Sequence, residues 1–186
     1  MMIKNPSDSS GKRSKYLNKI PVFLRKLIKI PVLYILDLKY FFSEGFTSYI
    51  PKPSICYMEP KSYKDIGNEF FRYFEEYCNI KPNSKVLDVG CGYGRLSIPF
   101  INYLNSDGSY FGFEIIPNRI EWATKKITSK NPNFLFKLVD IKNDIYSKTG
   151  VKACDFKFPY EDNSFDLVFL NSVFTHMLPN DIEHYV

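Results

Sequence analysis

Apolar residues in the second half of this chain fall into four short runs separated by turns and helical patterns. The runs cover residues 85–89, 109–115, 133–140 and 164–172. Nearly continuous apolar runs of this length are typical of strands buried on both faces. Between the second and third runs, residues 117–128 place apolar side chains at helical spacing after a proline. This alternation predicts an α/β fold: a parallel sheet with helices on both faces, in three layers.

The N-terminal part of the chain has a different pattern. Residues 1–15 are polar and predict a disordered tail. Residues 16–63 predict a basic, aromatic-rich and mainly helical extension, whose last part, with three prolines after residue 43, is an irregular connector. Residues 64–186 predict the main domain, which opens with an amphipathic helix over 64–80.

The charge is also uneven. The whole chain has a net charge of +5, but residues 1–43 hold nine basic and two acidic residues, so the remainder sums to −2. That balance offers no surface for tracking nucleic-acid phosphates, and we expect no nucleic-acid partner. No uncharged stretch in 16–43 approaches the roughly 20 residues of a membrane-spanning helix. Two interpretations of 16–43 stay open, helices packed on the domain and a peripheral contact with an anionic membrane.

The four cysteines show no CxxC spacing, and no secretory signal is visible. Both features favour reduced thiols and a cytoplasmic location, with membrane association as the alternative that residues 16–43 leave open.

The first strand leads into a glycine-rich turn, where the order is Asp88, Gly90, Cys91, Gly92 and Gly94. No GxxxxGK[ST] motif occurs, which excludes a P-loop. A dinucleotide fingerprint would need its third glycine at position 95, which is an arginine. An acid beside the loop disfavours an anionic pyrophosphate and suits a ligand with an ammonium or sulfonium group.

Other polar residues follow the ends of the remaining strands, at the edge where parallel sheets bind ligands. Glu114 suits the two ribose hydroxyls, and Asp140 suits an adenine amino group. Asn171 follows the fourth strand, and His176 lies just beyond it. We consider His176 as a general base, with a helix-start or substrate-contact role as the alternative. Together these residues describe a site for a nucleoside with a cationic amino-acid tail.

The segments DVGCGYG, FGFEI and FPYEDNSFDLVFLNSVFTHM resemble those of class I S-adenosylmethionine-dependent methyltransferases. The resemblance covers about residues 66–186, and the SVFTHM segment looks like a bacterial small-molecule group. It implies a Rossmann-like fold, S-adenosyl-L-methionine as cofactor and no metal. It also implies that the glycine loop lines the methionine moiety and that Glu114 takes the ribose position. Asp140 is the adenine-side candidate, with Cys154 and Asp155 as alternatives.

These residues say less about the methyl acceptor than about the cofactor. The family's [DN]PP[YF] motif for amide or adenine nitrogens is absent after the fourth strand, which favours a small-molecule, lipid-linked or glycan acceptor. The family's sheet has seven strands and four are predicted here, so we expect a C-terminally incomplete domain that is inactive alone. Two rival functions stay open, a non-catalytic cofactor-binding or membrane-surface module and a nicotinamide oxidoreductase.

Overall fold

The computed structural model describes residues 31, 34–42, 48–143, 146, 147, 149–177 and 179–185. The predicted tail, residues 1–15, lies outside the described residues, as does most of the extension before residue 34. The α-helices are α1 (34–42), α2 (Pro53–Cys56), α3 (Pro60–Tyr77), α4 (Pro117–Ala123) and α5 (Pro179–Tyr185). The strands are β1 (Lys85–Val89), β2 (Ser109–Glu114), β3 (Phe134–Leu138) and β4 (Leu167–Leu170).

The four strands form one parallel sheet in the order β3-β2-β1-β4. Alternate residues of β1 point to opposite faces, so that Val86 joins one apolar cluster and Leu87 the other. Phe74 of α3 packs in the first cluster, whereas Ala153 packs in the second. Both faces of the sheet are therefore covered, which confirms the predicted three-layer Rossmann-like fold with a helical N-terminal region.

The apolar spacing after the glycine loop predicts a helix bent at Pro99, and the structure differs from that prediction. The segment forms two 3₁₀ turns, Arg95–Ser97 and Pro99–Asn102. Pro99 has no N–H to donate to the carbonyl four residues earlier, so an α-helix cannot continue through it. The N–H of Ile98 instead donates to the carbonyl of Arg95, at 3.5 Å.

The predicted helix over 117–128 is present, but its second half is wider than an α-helix. After α4 the chain makes a π-helical turn over Thr124–Thr128. Ile120, Ala123 and Ile127 are all buried, as the spacing of apolar residues predicts.

The connector prediction is wrong in part, because residues 44–63 contain α2 and the start of α3. Pro53 and Pro60 each occupy the first position of a helix, where a missing N–H costs nothing. The buried Tyr40 of α1 donates from its hydroxyl to the carbonyl of Ile50, at 2.5 Å. Asp37 of α1 accepts hydrogen bonds from the N–H and hydroxyl of Ser54. These contacts fix α1 and α2 against each other.

Candidate functional site

The glycine loop turns sharply at the carboxyl end of β1. Gly90, Gly92 and Gly94 have φ angles of +77°, +56° and +77°, a region that residues with a Cβ rarely adopt. The N–H groups of Gly90 and Cys91 both donate to the carbonyl of Phe113, at 2.9 and 3.0 Å. The loop is thereby anchored to the end of β2, beside Glu114.

The glycines of this loop have different surroundings. A Cβ at Gly90 would lie 2.5 Å from Cγ2 of Val173, and one at Gly94 would lie 2.8 Å from Ile127. A Cβ at Gly92 would meet nothing within 4 Å. Gly90 and Gly94 are therefore required for packing, whereas Gly92 leaves open space above the loop.

Asp88 is the buried acid of the site. Only 1% of the residue is exposed, and its Oδ2 accepts a hydrogen bond from the hydroxyl of Tyr110 at 2.6 Å. Burial raises the pKa of this carboxyl to about 7, although the Tyr110 hydrogen bond acts in the opposite direction. A carboxyl of this kind gains most from a ligand that brings a positive charge.

Cys91 is buried beside Asp88 in the loop. Burial raises the pKa of the Cys91 thiol well above its ordinary value, and the neighbouring acids act in the same direction. The thiol is therefore protonated at neutral pH, which does not suit a nucleophile. All four cysteines are free.

Glu114 ends β2 and is held by three donors. Its Oε1 accepts from the N–H groups of Ile115 and Ile116, at 2.7 and 3.2 Å. Its Oε2 forms a salt bridge of 3.0 Å with Arg119, whose guanidinium also lies over the ring of Tyr93. The carboxylate is fixed in one orientation at the strand end. The sequence pattern does not predict the role of Arg119. Its salt bridge with Glu114, five residues earlier in the chain, depends on how the chain turns into α4.

Two cavities open at this edge of the sheet. The first, of about 630 Å³, has the glycine loop as its floor and residues 54–58 of the connector as one wall. The second, of about 600 Å³, is bordered by Glu114 and by apolar side chains, which include Ile115, Ile141, Val173 and Met177. Gly90, Arg119 and Asn171 border both cavities. An elongated ligand with a polar end and a flat apolar end matches this arrangement.

The predicted site residues are distributed unequally around these cavities. Asp88, Gly90, Cys91 and Gly92 border the first, Glu114 borders the second, and Asn171 borders both. Gly94 borders neither cavity and packs under the loop.

The adenine-side candidates lie elsewhere. Asp140 is exposed and contacts Gly150, and it borders neither cavity. Cys154 and Asp155 lie in the 3₁₀ turn Ala153–Asp155, of which only Ala153 borders the second cavity. The long segment after β3 instead brings Lys142 and Asn143 to that cavity. His176 ends the 3₁₀ turn Phe174–His176, and its side chain lies outside the described part of the chain.

Comparison with protein-family models assigns the chain to a family. A family model described as a methyltransferase domain matches residues 80–184, more than half of the chain. The chain belongs to this methyltransferase family.

The curated relatives of this methyltransferase match it over only part of their own length. Uncharacterized methyltransferase C1B3.06c of Schizosaccharomyces pombe is 26% identical over 104 residues, which cover 53% of this chain and 32% of that protein. Phosphoethanolamine N-methyltransferase 1 of Arabidopsis thaliana is 30% identical over 111 residues, which cover 60% of this chain and 19% of that protein. The chain therefore spans about a third or less of the length of these relatives.

Solved structures with a similar chain path include a SAM-dependent methyltransferase from Aquifex aeolicus. It is 17% identical, with a TM-score of 0.44, and the match covers 69% of this chain and 65% of that one. Family membership confirms the prediction of a methyltransferase domain with S-adenosylmethionine as cofactor. The bacterial small-molecule subgroup and the role of SVFTHM stay predictions. In the part of the chain that the structure describes, no helix is long and apolar enough to cross a membrane.

Proposed function

We propose that this protein transfers the methyl group of S-adenosylmethionine to a small-molecule, lipid-linked or glycan acceptor. One observation carries the proposal. Two acids with different environments, Asp88 and Glu114, lie at the carboxyl ends of neighbouring strands. They border two cavities that share three residues. A cationic amino-acid tail matches the first acid, and a ribose diol matches the second.

The residues present fit this cofactor. The buried Asp88 lacks a cationic partner among the described residues, and it borders a cavity large enough for an amino-acid tail. In our proposal Asp88 and the loop around Gly92 hold the tail, Glu114 holds the ribose, and the second cavity encloses the adenine beside Ile115. When bound, the cofactor supplies a methyl group already activated by its sulfonium. The protein's own residues therefore have to orient the acceptor and exclude water.

Two observations favour the acceptor class. The sequence after β4 lacks the motif that family members use on amide and adenine nitrogens. The name of the A. thaliana relative gives phosphoethanolamine, a small molecule, as the acceptor of that protein. His176 is our candidate for a base that deprotonates the acceptor, and its backbone lies beyond β4 in the chain segment that also supplies Thr175 to the second cavity.

The cofactor part of the proposal is tested by calorimetry with the 186-residue chain. Glu114→Gln is expected to weaken S-adenosylhomocysteine binding about 10- to 100-fold, because a charged acceptor is lost and an amide nitrogen can face Arg119. Glu121→Gln is the matched control, since Glu121 is exposed on α4. This variant should bind S-adenosylhomocysteine as tightly as the unmodified chain.

The rival oxidoreductase function makes the opposite prediction. Tight binding of NAD by the unmodified chain, with no heat from S-adenosylmethionine or S-adenosylhomocysteine, would contradict the methyltransferase proposal. Equal affinities for the Glu114→Gln and Glu121→Gln variants would remove Glu114 from the ribose position.

We also propose that α1 contacts an anionic membrane surface. Five large apolar side chains of α1 are exposed, with Phe42 79% and Tyr34 68% accessible. They recur at positions 34, 35, 38, 41 and 42, which fall on one face of a helix. Tyr40 and Asp37 attach the helix to the domain and leave this stripe outward. The charge of +7 on residues 1–43 complements anionic lipid rather than another copy of the chain.

Vesicle flotation tests the membrane contact. The chain is expected to float with vesicles that contain anionic lipid and much less with neutral vesicles. Leu38→Ser/Phe42→Ser should reduce flotation about tenfold or more, since each side chain loses apolar area in contact with lipid. Leu135→Ser/Leu138→Ser is the control, because these β3 side chains are also exposed. Equal flotation of both variants, or a concentration-dependent dimer through the stripe, would contradict the proposal.

A further inference from the structure

The outer rim of the first cavity carries two large side chains, those of Ile55 and Tyr57. Both residues border the cavity, and they are 40% and 69% accessible to solvent. A side chain that borders a cavity and is also largely exposed lies at the opening of that cavity. The rim, Ile55 and Tyr57, therefore presents an apolar and an aromatic side chain where a ligand enters.

Tyr57 holds an unusual backbone conformation at this rim. Its φ and ψ angles are 56° and 28°, in the left-handed region that a bulky side chain rarely adopts. Its N–H donates to the carbonyl of Pro53 at 2.8 Å, so the turn that ends α2 fixes this conformation. Backbone strain of this kind is concentrated at functional sites, where it holds a side chain in position. The aromatic ring at the opening is thus held there at a cost to the fold.

The rim is attached to α1, the helix with the exposed apolar stripe. Asp37 of α1 accepts hydrogen bonds from the N–H and hydroxyl of Ser54. Ser54 itself borders the first cavity, and Ile55 follows it directly in the chain. Because this pair of hydrogen bonds holds α2 against α1, exposed apolar side chains extend from α1 to the opening of the cavity.

The first cavity is larger than the part of the cofactor that we assign to it. Its volume of about 630 Å³ lies in the range of about 300–1,000 Å³ that encloses a whole drug-sized ligand. An amino-acid tail held by Asp88 therefore leaves space for a second ligand between the glycine loop and the connector. That ligand meets polar groups on Asn118 and Arg119 inside the cavity and apolar groups at the rim. A lipid, with a polar headgroup joined to apolar chains, has this combination.

We propose that the rim lies in the membrane surface beside α1 and that the first cavity admits the headgroup of a membrane lipid as the methyl acceptor. The acyl chains of that lipid stay in the bilayer, in contact with Ile55. Tyr57, with an apolar ring and a polar hydroxyl, suits the boundary between water and lipid. The inference rests on both parts of the proposed function, the cofactor site and the membrane contact of α1. It selects a lipid over a soluble small molecule or a free glycan.

Fluorescence quenching tests whether the rim contacts lipid. Trp122 is the single tryptophan of the chain, so Tyr57→Trp/Trp122→Phe reports on the rim alone. Vesicles of phosphatidylglycerol and phosphatidylcholine with brominated acyl chains should quench about half of its emission or more, because side chains at a membrane interface reach the acyl boundary. Tyr77→Trp/Trp122→Phe is the control, since Tyr77 is 72% exposed but ends α3, about 25 Å along the helix from its first residue. Equal quenching at both positions would contradict the proposal.

A second measurement asks whether the lipid reaches the cofactor. Calorimetry gives the affinity of the chain for S-adenosylhomocysteine with and without vesicles of phosphatidylglycerol and phosphatidylethanolamine, whose headgroups carry hydroxyl and amine groups. Vesicles should raise this affinity at least about threefold, because a headgroup in the first cavity covers the cofactor's tail and the two ligands are then coupled. Ile55→Ser/Tyr57→Ser should remove the increase, and Leu135→Ser/Leu138→Ser, at exposed positions of β3, should keep it.

The outcomes separate this inference from the proposed function. If vesicles leave the affinity for S-adenosylhomocysteine unchanged while the chain floats with them, the lipid acceptor is wrong, and the cofactor site and the membrane contact of α1 stand. If the unmodified chain binds no S-adenosylhomocysteine, or does not float, one part of the proposed function fails and the inference fails with it.

Discussion

Replacing Asp88 with asparagine is expected to weaken S-adenosylmethionine binding about 10- to 100-fold. The expected loss corresponds to about 1.5–3 kcal/mol, the range for a hydrogen bond to a charged group. Asparagine can still accept the hydrogen bond that Tyr110 gives to Asp88, so the core beneath the loop should be retained. What is removed is the negative charge that we propose faces the cofactor's ammonium, and calorimetry measures the difference directly.

The pH dependence makes this prediction specific to Asp88. Because the pKa of Asp88 is about 7 in the cofactor-free protein, its carboxylate form becomes populated as pH rises through neutrality. Binding of a cation requires that form, so affinity should rise about eightfold between about pH 6 and about pH 7.5. Asp88→Asn should remove this rise. A parent protein whose affinity is flat across that range would contradict the role assigned to Asp88.

Asp88 should also determine how the stability of the cofactor-free protein depends on pH. A carboxyl whose pKa is higher in the folded than in the unfolded chain stabilises the fold at low pH and loses that contribution as pH rises. For Asp88 the window runs from its ordinary value of 3.8 up to about 7. The unfolding temperature should therefore fall across this range more steeply in the parent than in Asp88→Asn, as thermal scans at several pH values would show.

Gly90→Ala and Gly92→Ala should separate folding from binding. At Gly90 the new Cβ meets Val173 at 2.5 Å in a left-handed backbone conformation. Strain and overpacking together should cost about 2–4 kcal/mol of unfolding free energy. At Gly92 the Cβ meets no atom, so the cost should be only the backbone term of about 1–2 kcal/mol. Both glycines border the first cavity, but only the Cβ at Gly92 enters open space, where it should intrude on the ligand. For each kcal/mol of stability lost, Gly92→Ala should therefore weaken cofactor binding more than Gly90→Ala does.

The double variant Gly90→Ala/Val173→Ala is the control. Val173→Ala removes both methyl groups of that side chain, including the one that the new Cβ strikes, and should recover part of the lost stability. Urea unfolding and a double-mutant cycle would quantify this recovery. Full additivity of the two single changes would show that Val173 does not contact the loop. If Gly92→Ala destabilises the fold as much as Gly90→Ala, the space above Gly92 is not open.

Local sequence was sufficient for the sheet and for the floor of the site. The apolar runs specify the four strands because their period differs from that of α3 and α4. Only β1 and β2 are mostly buried, since the edge strands β3 and β4 leave Leu135, Leu138 and Val168 exposed. Asp88, the glycine loop and Glu114 follow from strand ends, since parallel strands bring those ends to one edge. Local pattern failed where a single residue overrides it. Pro99 replaces the predicted helix with 3₁₀ turns. The turn after β3 leaves Asp140 outside both cavities, and its adenine-side role stays a prediction.

The sequence by itself therefore determined the parallel fold, the strand-end acids and the glycine loop, because each depends on neighbours within a few residues. Only the tertiary structure decided what encloses the loop. Tyr63 meets Arg95, Val173 closes over Gly90, and the connector forms a wall of the first cavity. These partners are tens of residues apart in sequence, and periodicity or turn propensity contains no information on which distant side chains meet. Their contacts arise from the packing of α3 and of the segment after β4 against the end of β1.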